Sequence, residues 1–142
     1  MSGHVQTMTD FWCQDMYKLS IEKQPSASLV CSYAIYLMNL DRFGEADTLL
    51  KQAVKLDPLD AEVAYNVCCF HGKQRHKAKC MKWLKKSVVE LRIDEIDWAD
   101  EDLDVIRDLP EFAQIQKEFT GACATENQDF FESRAIHFSN TK

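Results

Sequence analysis

The sequence predicts an all-α protein, and three observations carry that prediction. Glycine and proline are scarce, at 4 and 3 in 142 residues, so the chain lacks the turn density that many short strands require. Hardly any stretch alternates apolar and polar residues with the period of a half-buried strand. Apolar and small residues recur instead at helical spacing: Val30, Tyr33, Ala34 and Leu37, then Phe43, Ala46, Leu50 and Ala53. The spacing continues through Ala64, Val67, Cys68 and His71 and then Met81, Leu84, Val88 and Leu91.

Taken in order, the chain opens on MSGHVQTMTD, a polar start without the basic, apolar and small-residue succession of a secretory signal. Residues 10–24 form an N-terminal helix. A 33-residue shift lays Cys13 on Ala46, Tyr17 on Leu50, Ser20 on Ala53 and Pro25 on Pro58, which makes this the lone second helix of an incomplete hairpin. Phe11, Trp12, Met16 and Leu19 offer a competing face, that of a plain amphipathic cap. Residues 27–58 hold two helices, the second stopped by Asp57-Pro58 because proline cannot continue a helix and restricts the residue before it. A further pair fills residues 61–91, and Asp41 and Asp60 are the expected caps of the helices that follow them. Residues 94–119 form an acidic capping segment that completes a single domain over 1–120. The remaining 121–142 carry Phe130, Phe131, Ile136 and Phe138, too apolar for a simple disordered tail, and suit a short helix that docks on the body or on a neighbour.

Sliding the sequence on itself by 34 residues superposes Ala34 on Cys68, Ala46 on Cys80, Leu50 on Leu84 and Ala53 on Ser87, each pair alike in size class. A 34-residue period with two helices per unit is the mark of tetratricopeptide arrays. The first unit, SLVCSYAIYLMNLDRFGEADTLLKQAVKLDP, resembles a tetratricopeptide (TPR) repeat: Ala34 fills the small slot of its first helix, Phe43 opens the second, and Ala46, Leu50, Ala53 and Pro58 stand at the remaining signature places. The second unit, AEVAYNVCCFHGKQRHKAKCMKWLKKSVVEL, departs further, with Cys68, Cys80 and Ser87 in the small slots and no closing proline. Asp102, Leu103, Ile106, Arg107, Pro110 and Phe112 resemble the segment that often closes bacterial TPR arrays. The resemblance implies an α-solenoid of stacked antiparallel hairpins, about two full repeats plus capping helices. Trp98, Leu103, Ile106, Phe112, Ile115 and Phe119 are then expected to cover the apolar end of the second unit.

YNVCCFHGKQRHKAKC, residues 65–80, raises the question of chemistry. The order C-C-x-H-x4-H-x3-C matches no established zinc pattern, and Cys68 and Cys69 point about 100° apart on a helix. Packing explains Cys68 and Cys80 without chemistry, because free cysteine behaves as a small buried hydrophobe. A zinc or thiol redox site built from Cys68, Cys69, His71, His76 and Cys80 stands as the alternative of another class, and a Cys68–Cys80 disulfide is disfavoured in a reducing compartment. The expected location is cytoplasmic. No phosphate loop, H-E-x-x-H or G-x-S-x-G occurs. An exposed acidic run such as Asp100, Glu101 and Asp102 lacks the apolar pocket that separates two carboxylate pKa values, and Cys31 or Cys69 with His71 lacks an orienting third group. Neither catalysis nor a cofactor is expected.

Charge is segregated. Lys73, Arg75, Lys77, Lys79, Lys82, Lys85, Lys86 and Arg92 precede an acidic run from Asp94 to Glu111. The plain account is a solvated basic helix partly neutralised by the acidic cap; the functional one is a basic ridge for an acidic peptide. The net charge of -6 argues against nucleic acid, and no apolar run is long enough to cross a membrane. The resemblance implies a concave groove lined by the first helix of each hairpin: Ser28, Ser32, Ile35 and Asn39 from the first unit, with Glu62, Tyr65, Asn66, Cys69 and Lys73 from the second. Asn66 stands where an asparagine in some TPR proteins holds a partner's backbone or C-terminal carboxylate, but Cys31 and Ile35 occupy the places of the cations that complete that clamp. The expected function is a non-catalytic adaptor that binds a partner's peptide segment, as monomer or homodimer. A small dimeric secretion or assembly chaperone is the alternative in the same class.

Overall fold

The computed structural model describes residues 8–120, so the expected docking of the 121–142 tail lies outside the described residues. Every regular element among them is helical: α1 (Met8–Lys23), α2 (Ala27–Asn39), α3 (Phe43–Leu56), α4 (Ala61–Lys73) and α5 (Lys77–Lys85). α5 runs on into a π-helical turn at Lys86–Glu90, a 3-10 helix follows at Glu101–Ile106, and α6 spans 110–120. None of the described helices is long and apolar enough to cross a membrane.

α2–α3 and α4–α5 form two hairpins joined by short turns, and the details recur 34 residues apart. Ser26 accepts the Leu29 N–H on its hydroxyl, and Asp60 accepts the Val63 N–H on its carboxylate, so each first helix starts on a side-chain cap. Each hairpin turns on a left-handed residue, Asp41 at φ 59° and Arg75 at φ 61°. That conformation costs a non-glycine residue roughly 1–2 kcal/mol. The cost is offset where the next N–H, of Arg42 or His76, reaches back 2.9 Å to the Leu37 or His71 carbonyl, which otherwise would go unpaired at the helix end. Asp41 therefore closes α2 and does not cap α3; Arg42 is the N-cap residue there and makes no side-chain cap bond.

Two apolar clusters fill the interior. Val30, Tyr33, Ala34 and Leu37 of α2 pack with Ala46, Leu50 and Ala53 of α3 and with Val63, Val67 and Phe70 of α4. Cys68, Cys80, Leu84 and Val88 pack with Leu103, Ile106, Phe112 and Ile115 from the acidic segment and α6. Trp83 touches both clusters. Trp98 and Phe119 lie half-buried against the second, each with its ring close to another: 5.7 Å for Trp98–Phe112 and 5.4 Å for Trp98–Phe119. The six small-slot residues, Ala34, Ala46, Ala53, Cys68, Cys80 and Ser87, are all 0 % exposed. The Cys68 and Cys80 sulfurs face each other as free thiols at 3.6 Å where α4 crosses α5.

α1 lies on α2, with Tyr17 stacked on Tyr33 at 5.2 Å and the Arg42 guanidinium donating to Gln14. Cys13, Tyr17 and Ser20 are half-buried, whereas Trp12, Met16 and Leu19 are exposed. The packed face of α1 is therefore the one picked out by the 33-residue shift, while Trp12, Met16 and Leu19 of the competing face point to solvent.

Gly72 has no side chain for a reason of space. A Cβ there would lie 1.9 Å from the Asp102 carbonyl oxygen and 3.4 Å from the Cys80 sulfur. Gly72→Ala is expected to push the acidic segment off α4 and lower unfolding free energy by about 2 kcal/mol, the scale of core overpacking. Gly44→Ala, at an α3 position where nothing lies within 4 Å, is expected to leave stability unchanged or raise it by up to about 1 kcal/mol. Urea denaturation followed by circular dichroism compares the two.

Candidate functional site

The expected groove residues fall into two groups. Ser28, Ser32 and Ile35 of α2 line a shallow cleft of about 100 Å³ with Glu62 and Asn66 of α4, joined by Cys31, Asp60 and Val63. Polar groups here are held in place by local bonds: the Ser32 hydroxyl donates to the Ser28 carbonyl at 3.0 Å, and the Asn66 amide donates to the Cys31 sulfur at 3.1 Å. Burial pushes the Cys31 thiol pKa up, opposed by the Asn66 bond, so the sulfur stays a neutral acceptor. Asn39 is exposed at the far end of α2 and does not line the cleft.

Tyr65, Cys69 and Lys73 form the second group, and their expected place in the open groove is corrected. They share one stripe of α4, spaced four apart, and the chain's own acidic segment reaches along it, burying Cys69, half-burying Tyr65 and pairing with the still exposed Lys73. The Tyr65 hydroxyl donates to Asp100 Oδ2 at 3.1 Å, Cys69 Sγ lies 3.9 Å from the same oxygen, and Lys73 Nζ pairs with Asp102 Oδ1 at 3.2 Å. Asp100 also accepts the Asp102 N–H at 3.0 Å, which starts the 3-10 helix. Arg107 holds the segment from behind, donating to the Trp98 carbonyl at 2.7 Å, to the Asp100 carbonyl at 3.0 Å and to Asp104. The resemblance placed this stripe on the concave face but could not show what would lie over it. A glycine inside a helical pattern is the signal of close approach that points to the clasp, and Gly72 supplies it.

Cys69, Asp100 and Asp102 offer ligand-type atoms within 4.8 Å of one another. Their lone pairs and charges are already engaged by Tyr65 and Lys73, and burial with the two carboxylates pushes the Cys69 thiol well above its ordinary pKa. The arrangement is thus a hydrogen-bonded clasp. Cys68, Cys69, His71, His76 and Cys80 do not converge as a zinc site requires. Cys68 and Cys80 meet inside the hairpin, Cys69 faces the clasp, and the His71 and His76 rings stand 6.0 Å apart by centroid. Among the described residues no three of these five come together.

The basic stretch is solvated more than it is neutralised. Lys73–Asp102 is the ion pair between it and the acidic segment among the described residues; Lys86 pairs instead with Glu90 on its own turn. No family model, curated protein or solved structure matches the chain. What it binds has to follow from its own geometry.

His71 has a buried Nδ1 without a hydrogen-bond partner. Burial, then Lys79 and His76, hold its pKa below the ordinary histidine value, with Asp47 opposing. A folded-state pKa below the unfolded one means that the unfolded chain takes up the proton first, at about pH 6.5. Stability present above that pH is therefore lost as pH falls through the folded value. The urea midpoint is expected to drop between about pH 7 and pH 5, and His71→Asn is expected to flatten that drop; an unchanged pH slope in the variant would assign the loss to other groups.

Proposed function

We propose that the protein is a small tetratricopeptide-like helical array that captures a peptide segment of a partner in the α2–α4 cleft and performs no catalysis. The recurrence of caps, left-handed turns and enclosed small residues at 34-residue spacing supports the array. One observation carries the binding reading: the first helices of both hairpins bring Ser28, Ser32, Glu62 and Asn66 around the half-buried Ile35 in one cleft. An extended peptide would seat an apolar side chain on Ile35 and pair its backbone with the amide and hydroxyls. Asp60 and Glu62 on the same rim make the cleft acidic, which favours a neutral or basic segment over a C-terminal carboxylate. Buried thiols held protonated at Cys31 and Cys69 are poor nucleophiles, in keeping with a binding role.

Peptides selected from a displayed library on the full chain test this. Asn66→Ala with Glu62→Gln is expected to weaken the selected peptides by about tenfold, or 1.4 kcal/mol, with helical circular dichroism intact. Tyr65→Phe, which loosens the clasp, is expected to cost about 1 kcal/mol of stability and leave peptide affinity unchanged. Equal binding by the double variant would remove the cleft from consideration.

A second reading, a dimeric assembly chaperone, has one observation in its favour: Trp12, Met16 and Leu19 form an exposed stripe on α1, with Trp12 65 % exposed. Light scattering on the full chain decides it. A monomer at every concentration would dispose of this reading.

A further inference from the structure

α3, α4 and α5 enclose a second cavity, of about 360 Å³, that shares no lining residue with the α2–α4 cleft. Its floor is apolar, with Val67 and Phe70 buried and Trp83 half-buried. The walls carry three lysines, Lys51, Lys79 and Lys82, against one carboxylate, Asp47. Asp47 pairs with Lys51 at 3.0 Å. Lys79 and Lys82, exposed one turn apart on α5, have no ion-pair partner among the described residues. The imidazole of His71 lines the same cavity, and its Nδ1 is buried and unpartnered.

These features call for one kind of ligand. Two cations with no counter-ion among the described residues attract carboxylates, and a floor of Phe70 and Trp83 holds an aromatic ring. We propose that this cavity binds an acidic peptide segment of a partner protein, with an aromatic side chain on Phe70 and Trp83 and flanking carboxylates on Lys79 and Lys82. Charge complementarity selects this occupant. The chain's net charge of -6 repels a long polyanion, whereas a short acidic segment meets only the local lysines. Lys86, 5.9 Å over the Trp83 ring, holds that ring from outside the cavity while paired with Glu90.

The site is independent of the α2–α4 cleft, so each can fail alone. The probe is a blocked synthetic peptide, Glu-Asp-Phe-Glu-Asp, titrated into the full chain while the Trp83 indole and His71 ring resonances are followed by NMR. Saturable shifts of both are expected, with the His71 pKa rising on binding because a carboxylate joins Asp47 in favouring the imidazolium against Lys79, Lys82 and His76. Lys79→Glu with Lys82→Glu is expected to weaken the peptide by about tenfold, and raising salt from about 0.05 to 0.5 M to weaken it further. Asn66→Ala is expected to leave it unchanged. Unmoved Trp83 and His71 signals, undiminished affinity in the double reversal, or equal binding when alanine replaces the peptide's phenylalanine would each overturn the proposal. So would a Trp83 resonance that shifts in the unliganded chain on Phe130→Ala with Phe131→Ala, since that result hands the cavity to the chain's own acidic and aromatic stretch.

Discussion

The close approach of helices at enclosed small side chains is the constraint on which the rest of this structure depends. Ala34, Ala46 and Ala53 are enclosed in one cluster of the first hairpin, and Cys68 meets Cys80 across the second with 3.6 Å between sulfurs. Because no solvent reaches these positions, a larger side chain at any of them would have to displace a whole helix, and overpacking of that kind costs about 1–3 kcal/mol. Helices brought this close carry their larger neighbours, Leu50 and Leu84, into full burial. Each such leucine contributes roughly 1.5–3 kcal/mol of transfer free energy. The cysteines thus do the work of alanines one size up, and the hydrogen bond with Cys80, with burial added, holds the Cys68 thiol pKa up.

A two-hairpin stack leaves an apolar end, and the acidic segment closes it by a different principle. Leu103 and Ile106 supply the apolar area, but what fixes the segment is polar: Arg107 ties its two carbonyls and Asp104 together, while Asp100 and Asp102 reach Tyr65 and Lys73. Gly72 admits the Asp102 backbone to the surface of α4. The small-residue rule therefore operates twice on one helix, with Cys68 facing its hairpin partner and Gly72 facing the cap. That second use explains why Tyr65 and Cys69 lie against the cap and Lys73 pairs with it, where the resemblance implied an open groove.

Periodicity made the helices, the turn at Pro58 and the enclosed small positions readable, since these depend on residues three, four and 34 apart. Asp60 was readable as a cap for the same local reason. Asp41 was not, because an aspartate suits both an N-cap and a left-handed turn, and the pairing of Arg42 with Leu37 decides between them. On α1 two faces competed, and the deciding contact, Tyr17 on Tyr33, lies in another helix. The division of the groove was hidden for a similar reason: it depends on Arg107 folding the acidic run back over α4, a set of contacts to backbone carbonyls that leave no trace in side-chain spacing. The charge pattern showed a basic stretch but not that Lys79 and Lys82 stand over an apolar hollow, since that hollow is made by α3 and α4.

Seen as a whole, the described fold sorts charge by depth and by side. Carboxylates at Asp60 and Glu62 rim the α2–α4 cleft, Asp100 accepts the Tyr65 hydroxyl while Asp102 pairs with Lys73, and Lys79 and Lys82, without an ion-pair partner among the described residues, rim the cavity over Phe70 and Trp83. The two linings have no residue in common, so neither surface obstructs the other. α4 contributes to both, through Glu62 and Asn66 on one side and Phe70 and His71 on the other. The Asp60 cap, the Cys68–Cys80 contact and the close approach at Gly72 hold α4 from three sides, and so fix the position of both linings at once.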